Sequence, residues 1–364
     1  MKMKRKNKGY FIYAAAIFLI AVAAVSLSTV QTFAEQSSSD YKIYKDPEMY
    51  KRDFRVIMKD AYRKLKKGMD DELTCPIPGL IKTCYVESGS TKTSEGYVPQ
   101  GLCSTGDYWL STAYDGDRKG NSVIYVINKS TKKVISTLTL PNKYHVGGIA
   151  FDGKRIWLTG ATSDKYEGDP FVQYIDYALF KTMIKDEVHE VTKDEISKRV
   201  YMNNKPSFLE YDDGKLWVGT YIGSEDSNKA YINGYTIIDD EKGVRLNTLM
   251  YTVLTGIDSS AQGCDIEGDY LYVSSSYLGY AAGVKSSYIT KYNISPVKDG
   301  SASNLDVQDR LVSRVEVPKM NEEILVEDGM IMINFESGAN EWWYAAVNTD
   351  RLLAVKQNIW GKNK

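Results

Sequence analysis

Five segments of the chain repeat one order of apolar and polar positions. Each has a small or polar lead-in, an apolar run, an acidic-Gly turn and a second apolar run that ends in small hydroxyl residues. Short apolar runs on either side of a Gly-containing turn are typical of two antiparallel strands joined by a hairpin. The five segments are PQGLCSTGDYWLSTAYDG (99–116), VGGIAFDGKRIWLTG (146–160), PSFLEYDDGKLWVGTYIG (206–223), QGCDIEGDYLYVSSSYLG (262–279) and NEEILVEDGMIMINFESG (321–338).

The spacing of these segments predicts a β-propeller. A third alternating run follows each segment, and a hairpin signal such as NKSTKK (128–133) leads to a fourth run after several of them. Four antiparallel strands that recur every 48 to 60 residues are typical of propeller blades. Because one blade cannot bury both of its faces, we expect the blades to close into a ring. The equivalent lead-in positions are Gln100, Gly148, Ser207, Gln262 and Glu322.

The predicted fold is therefore an all-β, five-bladed β-propeller. Six blades are possible, because the segment GLIKTCYVES (79–88) ahead of the first repeat is itself strand-like. We expect this segment to close the ring or to pair with the last blade. A β-sandwich is the runner-up, although a sandwich would not require the self-similarity of the repeats.

The apolar positions in the segment before the repeats have a different spacing. In residues 46–72 the apolar positions lie three and four residues apart, which predicts one amphipathic helix of about five turns. The opposite face of this helix is strongly basic. It is either a solvated face or a contact surface for an anionic cell surface or wall polymer. The apolar positions are Tyr50, Phe54, Ile57, Ala61 and Leu65.

The N-terminus has the pattern of an export signal. Five positive charges precede an apolar run from about Tyr10, and Thr32 and Ala34 occupy small-residue positions. The run of roughly twenty apolar residues could also remain as an uncleaved membrane anchor. We expect a signal peptide or anchor in residues 1–34, a linker and helix in 35–74 and the propeller in 75–364. The protein is then secreted, or anchored to the outer face of the plasma membrane.

Composition restricts the partners and cofactors. With 46 Lys and Arg against 47 Asp and Glu, the formal net charge of −1 argues against a nucleic-acid partner, and a membrane is expected only at the N-terminal segment. Disulfides are permitted outside the cell, but the sequence does not determine how the four cysteines pair. Free thiols are the alternative. No zinc site is predicted, because no close Cys pair exists and the chain has two histidines. We predict no cofactor, although an ion could bind in the channel. The cysteines are Cys75, Cys84, Cys103 and Cys264.

In a propeller the lead-ins converge on one end of the central channel, here called the channel mouth. The side chains expected there could bind a polar small molecule, a glycan or a protein, or could be the wet, polar channel end of any propeller. Cys103 and Asp265 are expected one step deeper. The catalytic candidates are His145 as a general base and Asp265 paired with Glu322 or Glu323. The mouth residues are Gln100, His145, Lys205, Ser207, Gln262, Glu322 and Glu323.

Aromatic residues supply further binding candidates. Tyr114, Tyr221 and Tyr277 recur just after the second strand of three repeats, where they pack between blades or stack on a ligand. Trp342 in ESGANEWWY (336–344) is the best single platform for a sugar or peptide. The charged insert at 178–204, which contains His189, is either solvated or a lid over the mouth.

Two of the repeats resemble a known family. PQGL, LSTAYDG and HVGGIAFDGKRIWLTG resemble the first blades of plant-type glutaminyl cyclases, which read TQGL, ESTG, FGEG and LTW. The likeness covers about 65 residues and implies a five-bladed propeller. Leu110 stands at the acidic residue of ESTG and Gly147 at the Glu of FGEG. The PQG and GGIA phrases also resemble secreted propellers of Gram-positive bacteria, which implies export.

Two functions follow as hypotheses. The first is a propeller that binds a polar ligand, glycan or protein at the channel mouth without chemistry. The alternative is an extracytoplasmic enzyme, either glutaminyl cyclotransferase-like or a glycan-acting hydrolase. The sequence contains no P-loop, Rossmann glycine fingerprint, HExxH or GxSxG motif that would indicate another enzyme class.

Overall fold

A computed structural model of the chain describes residues 47–160, 170–223, 230–276, 287–342 and 347–361. The predicted signal segment at 1–34 and Tyr277 lie outside these ranges. Within them, no helix is long and apolar enough to cross a membrane. The first described elements are two short helices, α1 (Pro47–Ile57) and α2 (Lys59–Leu65).

Twelve strands follow in the described chain as far as residue 201. One helix, α3 (Tyr177–Met183), separates the tenth strand from the eleventh. The strands are β1 (Cys75–Pro76), β2 (Thr83–Glu87), β3 (Ser90–Ser94), β4 (Tyr97–Ser104), β5 (Tyr108–Asp115), β6 (Val123–Asn128), β7 (Lys133–Thr139), β8 (Ile149–Phe151), β9 (Arg155–Thr159), β10 (Phe171–Asp176), β11 (Val188–Glu190) and β12 (Val200–Tyr201).

The remaining strands run from residue 208 to residue 356. A one-turn helix, α4 (Ser295–Lys298), follows the nineteenth strand, and short 3-10 turns occur at Gln308–Arg310, Asn340–Trp342 and Gln357–Trp360. The strands are β13 (Phe208–Asp212), β14 (Lys215–Gly219), β15 (Ala230–Asp240), β16 (Gly243–Ile257), β17 (Ala261–Glu267), β18 (Tyr270–Ser275), β19 (Ser287–Asn293), β20 (Asn304–Asp306), β21 (Leu311–Val317), β22 (Asn321–Glu327), β23 (Met330–Phe335) and β24 (Arg351–Lys356).

Five sheets, named blades 1 to 5 in chain order, each contain four antiparallel strands. From the inside outwards, blade 1 is β4-β5-β6-β7, blade 2 is β8-β9-β10-β12 and blade 3 is β13-β14-β15-β16. Blade 4 is β17-β18-β19-β21, and blade 5 is β22-β23-β24-β1. The innermost strand of every blade contacts the innermost strands of two other blades, so β4, β8, β13, β17 and β22 form a closed ring. The five-bladed propeller is therefore confirmed, and a sandwich is excluded.

The ring is closed by a strand that the repeat pattern did not reveal. Residues Cys75–Pro76 form the outermost strand of blade 5, with Cys75 opposite Leu352. The expectation that residues 79–88 close the ring or pair with the last blade was wrong. Their strand β2 instead pairs with β3 in a hairpin that contacts the outer part of blade 1, where the Val86 amide donates to Thr139 Oγ1 at 3.0 Å. A closing strand of two residues is too short to show any alternation.

The charged insert of blade 2 lies at the periphery. Its strand β11 adds in parallel to β7, and is therefore the fifth and outermost strand of blade 1. His189 on this strand has Nδ1 3.0 Å from Asp186 Oδ2 and Nε2 3.3 Å from Glu195 Oε1. The alternative of a lid over the channel mouth was wrong, because β11 is as far from the inner strand as this sheet allows.

The N-terminal helices pack against the outside of the ring. Tyr50, Phe54, Ala61 and Leu65 are buried in one hydrophobic cluster with residues of blades 4 and 5, as the spacing predicts. Ile57 differs, because it is 50% exposed. The predicted single helix is interrupted at residue 58, and Ile57 is the last residue of α1 before this break.

The four cysteines are free thiols in the structure. Cys75, Cys103 and Cys264 are buried, and Cys84 is half-buried. Burial raises the pKa of the Cys75 thiol to about 12, which keeps it protonated at neutral pH.

Candidate functional site

The channel mouth joins neighbouring blades through amide and carboxyl groups. Gln100 on β4 of blade 1 donates from Nε2 to Glu336 Oε1 of blade 5 at 2.5 Å. Gln262 on β17 of blade 4 donates from Nε2 to Glu322 Oε1, also of blade 5, at 3.0 Å. Glu336 follows β23 directly, at the end where the second strands finish and the inner strands begin. Three blades therefore meet at this polar cluster.

The two carboxyls of the mouth hold protons more tightly than ordinary glutamates. Burial is the main cause for both, because a charged carboxylate is poorly solvated there. Repulsion from Glu336 and Glu323 also raises the pKa of Glu322, well above its usual range. The pKa of Glu336 is raised to about 8, although the hydrogen bond from Gln100 opposes the change. At neutral pH this pair carries less negative charge than two free carboxylates.

An aromatic and histidine wall borders the two carboxyls. The Tyr114 and His145 rings meet edge to face with their centroids 4.2 Å apart, and the Arg118 guanidinium lies 4.0 Å above the Tyr114 ring. Burial raises the pKa of Tyr114, and the carboxyls Glu336 and Glu341 raise it further. Tyr114 lies in the field of both carboxyls of the pair, Glu336 and Glu322.

His145 is a neutral imidazole in this wall. Burial lowers its pKa to about 3, and the positive charges of Arg118 and Lys205 lower it further. Its Nε2 is buried and has no hydrogen-bond partner among the described residues. A neutral His145 can donate or accept one hydrogen bond, but it is a poor general base near pH 7.

We expect the C2 proton of His145 to show no titration between pH 5 and pH 8 in the NMR spectrum, because its pKa of about 3 leaves the ring neutral throughout. The chain has two histidines, so loss of one signal in His145→Gln assigns the resonance. Free histidine in the same sample reports the ordinary titration. A His145 midpoint near 6.5 would contradict the neutral, buried ring.

A shallow groove of about 440 Å³ borders the mouth. Glu341 connects the two, because its Oε2 lies 3.5 Å from the Tyr114 hydroxyl and the residue also lines the groove. Burial raises the pKa of Glu341, and the nearby Arg118 opposes this. The other lining residues are Ser94, Glu95, Gly96, Gly116, Asp117 and Asn340.

A second group of carboxyls is buried near the inner ring. Asp265 on blade 4 and Glu323 on blade 5 are 4% and 1% exposed, and the half-buried Glu210 on blade 3 interacts electrostatically with both. Burial raises the pKa of Asp265 to about 7 and those of Glu210 and Glu323 well above the usual range. The thiols of Cys103 and Cys264 lie in the field of these carboxyls. We call Glu210, Asp265 and Glu323 the inner carboxyl layer.

Individual hydrogen bonds fix this layer. Val326 donates its backbone N–H to Asp265 Oδ2 at 2.8 Å, and Glu323 Oε1 accepts from the backbone N–H of Ile324 at 3.1 Å. Glu323 Oε2 is buried without a partner among the described residues. In the part of the chain that the structure describes, no three His, Cys, Asp or Glu side chains have the arrangement of a metal site.

The structure places the carboxyl residues proposed from the sequence in two locations, the channel mouth and the inner carboxyl layer. Glu322 belongs to the mouth, whereas the adjacent Glu323 belongs to the inner carboxyl layer with Asp265. Successive strand residues normally point to opposite faces, but β22 is irregular between Asn321 and Ile324, which lets both glutamates be buried. A catalytic pair of Asp265 with Glu323 would therefore act below the mouth.

The remaining candidates lie around the mouth or at its edge. Half-buried Tyr221 is in the field of Glu322 and Glu336, which raise its pKa in addition to burial. The backbone oxygen of Lys205 accepts a hydrogen bond from Thr220, and its charge acts on His145. The half-buried Trp342 packs against the hydrophobic cluster that includes blade 5.

Sequence reasoning missed Glu336, Glu341, Arg118 and Glu210 as site residues. A signal for Glu336 was present, because it stands where the other repeats end their second strand in small hydroxyl residues. Glu210 occupies the same short apolar strand as Phe208 and Leu209, and no pattern distinguishes it from a solvated strand residue. Arg118 and Glu341 lie in loops, whose positions depend on the packed blades.

Neither a family model nor a curated protein matches the chain. Among solved structures, the glutaminyl cyclase of Myxococcus xanthus is 12% identical over 78% of this chain and 95% of that chain, with a TM-score of 0.43. The Kuenenia stuttgartiensis hydrazine synthase is 12% identical over 69% of this chain and 59% of that chain, with a TM-score of 0.34. These similarities assign no activity to the chain.

Proposed function

We propose that the channel mouth binds a polar ligand that carries a protonated amine, the chemistry of an amino sugar or a peptide amino terminus. The buried pair of Glu322 and Glu336 supports this proposal. Each carboxyl receives an amide hydrogen bond, from Gln262 and Gln100, and no described basic side chain lies within 4.0 Å of either. An ammonium group would supply the positive charge that a buried carboxylate requires.

The remaining wall of the mouth complements such a ligand. The half-buried Tyr221 offers a hydroxyl group and a ring face, and the Arg118 guanidinium above Tyr114 is an example of the cation–π contact that a ligand amine could make. The unpartnered Nε2 of His145 offers one further hydrogen bond to a hydroxyl or amide group. Export by the N-terminal segment would present this mouth to ligands outside the cell, and binding would require no cofactor.

The same carboxyl pair favours one alternative, an extracytoplasmic enzyme on the propeller scaffold. Two interacting carboxyls with raised pKa values can exist with one group protonated and the other ionised. One could then act as a general acid and the other as a general base or nucleophile on a glycan or an aminoacyl group. In that case Glu322 and Glu336 are the residues that act on the substrate.

Isothermal titration calorimetry at pH 7 tests the proposal. We expect glucosamine oligomers or peptides with a free amino terminus to bind, and their N-acetylated forms to bind at least about tenfold more weakly. Glu336 is mostly protonated at pH 7, because its pKa is about 8, and an ammonium ligand favours the carboxylate. Binding is therefore expected to release protons, which appear as a difference in heat between phosphate and Tris buffers. Affinity for free-amine peptides is expected to rise from pH 6 to a maximum near pH 8, because Glu336 ionises over this range and the α-amino group, with a pKa of about 7.7 to 8.0, loses its proton above it.

Two variants locate the site. Glu336→Gln is expected to weaken binding at least about tenfold and to reduce the proton release, because the charge-assisted hydrogen bond is lost. Glu241→Gln, in the exposed turn between β15 and β16, is the matched control and is expected to bind as the wild type does. Equal binding of free and acetylated amines, or no effect of Glu336→Gln, would overturn the proposal. Mass spectrometry of the ligands after the titration tests the alternative function as an enzyme. Reaction products that form with the wild type but not with Glu322→Gln would support that alternative.

A further inference from the structure

The helical segment before the propeller concentrates positive charge. Residues 51–67 contain eight basic and two acidic side chains, although the whole chain has a formal net charge of −1. Five of the basic residues recur three or four positions apart: two lie on one side of α1, two lie on one side of α2, and one follows the end of α2. We call these five the basic stripe. They are Arg52, Arg55, Lys59, Arg63 and Lys67, and all are exposed.

The ring fixes the direction in which the basic stripe faces. On the opposite side of the helices, Tyr50, Phe54 and Leu65 are fully buried against blades 4 and 5. The backbone after α2 is attached to the same region, because Lys356 donates its N–H to the Gly68 oxygen at 2.7 Å. The buried and basic sides are thus diametrically opposed, and the stripe points away from the propeller.

Apolar side chains are exposed within the stripe and at the break between the two helices. Val56 is 71% exposed and Ile57 is 50% exposed, although both are large hydrophobic residues. Val56 lies one turn after Arg52 on the same side of α1. A solvated helix face gains nothing from an exposed valine and isoleucine, whereas a basic helix at a bilayer interface buries such residues.

The charges of the stripe remain largely available to a partner. Arg52 and Arg63 pair with Asp53 and Asp60 of their own helices, and such exposed pairs contribute little. Among the described residues, Arg55, Lys59 and Lys67 form no ion pair. The stripe therefore presents uncompensated positive charge.

The preceding chain keeps this surface near a membrane whenever the apolar N-terminal run is inserted in one. That run ends near residue 30, about 16 residues before α1, and a chain of this length spans at most about 55 Å. A surface tethered within this distance meets the bilayer repeatedly, so that even weak contacts are populated.

We infer that the basic stripe, with Val56 and Ile57, is a docking surface for the anionic phospholipid headgroups of the bilayer. The positive charges attract the headgroups, and the two apolar side chains enter the boundary between headgroups and acyl chains. A soluble anionic polymer would satisfy the charges but would offer Val56 and Ile57 no apolar environment. The propeller would then lie beside the membrane with the outer edges of blades 4 and 5 facing it.

Lysine footprinting of the full chain in nanodiscs tests this inference. The protein is reconstituted into nanodiscs of phosphatidylcholine alone or with 30% phosphatidylglycerol, and acetylation by a water-soluble ester is followed by mass spectrometry. We expect acetylation of Lys59 and Lys67 to be at least about threefold slower in the anionic nanodiscs. Lys242, in the exposed turn between β15 and β16, is the internal control and is expected to react at equal rates.

A charge-reversal variant and added salt test whether the protection of the lysines is electrostatic. Arg55→Glu with Arg63→Glu changes exposed residues alone, and we expect it to abolish the protection while leaving the melting temperature unchanged. Sodium chloride at 0.5 M is expected to do the same, because it screens the charges. Equal acetylation in both lipids would overturn the inference. So would protection by soluble polyphosphate that phosphatidylglycerol does not reproduce. Neither result bears on the channel mouth, which is tested separately.

Discussion

Asp265→Asn is expected to stabilise the propeller by about 4 kcal/mol at pH 9 and to change its stability little at pH 4. The folded-state pKa of Asp265 is raised from 3.8 to about 7, chiefly by burial. At pH 9 the unfolded chain carries this carboxylate in water, whereas the folded chain must bury it. At pH 4 the folded carboxyl is protonated, so the folded chain buries no charge at this position and the substitution changes the stability little. Stability is therefore lost as the pH rises from about 4 to about 7, and Asn removes that loss.

The measurement is the free energy of unfolding from urea titrations at both pH values. Asn keeps an acceptor oxygen for the Val326 N–H, so the substitution preserves the hydrogen bond that positions Asp265. Asp269→Asn is the matched control, because Asp269 lies exposed in the turn of the same hairpin, and its effect is expected to stay within about 0.5 kcal/mol. An Asp265→Asn effect that is equal at pH 4 and pH 9 would show that the carboxyl is not buried as described.

Gly148→Ala is expected to lower the free energy of unfolding by about 3 kcal/mol. A Cβ on Gly148 would lie 2.5 Å from Leu209 N and 2.7 Å from the Phe208 carbonyl carbon. Both atoms are backbone of β13, the inner strand of the adjacent blade, and no side-chain rotation can relieve the contact. The inner strands must therefore separate, which disturbs the ring where all five blades meet.

Gly96→Ala provides the comparison for this substitution. Its Cβ would have as its nearest neighbour the side-chain oxygen Asp115 Oδ1, at 3.2 Å, a contact that a shift of a few tenths of an ångström relieves. We expect Gly96→Ala to remain within about 1 kcal/mol of the wild type in the same urea titration. If Gly148→Ala were equally stable, the close approach of β8 and β13 would be contradicted.

The channel combines a stability cost with a candidate function. Buried carboxyls without a paired cation destabilise a fold, yet four of them lie near one axis together with the half-buried Glu210, namely Glu322, Glu336, Asp265 and Glu323. Proteins break the rule that buried charges are paired mainly at functional sites. This is the physical reason to seek the ligand at the mouth, where Glu322 and Glu336 adjoin Tyr114 and His145.

Part of the site followed from the repeats. Once five lead-ins are assigned to inner strands, Gln100, Gln262 and Glu322 must approach one another, and the structure places them in one cluster with Glu336. Their partners were beyond the repeat pattern. Glu336 takes part because β23 ends at the mouth, and Arg118 because its loop folds back over Tyr114. Such contacts join blades that are far apart in sequence.

The sequence by itself determined the five blades, because each repeat carries its own alternation and turn residues, and local signals of this kind do not depend on distant parts of the chain. The tertiary structure alone decided the closing strand at Cys75–Pro76, the added strand β11 and the break of the helix at residue 58. It also decided which carboxyls lose their water, because burial depends on all the blades that surround the channel. The chemistry of the mouth therefore arises only when the ring is closed.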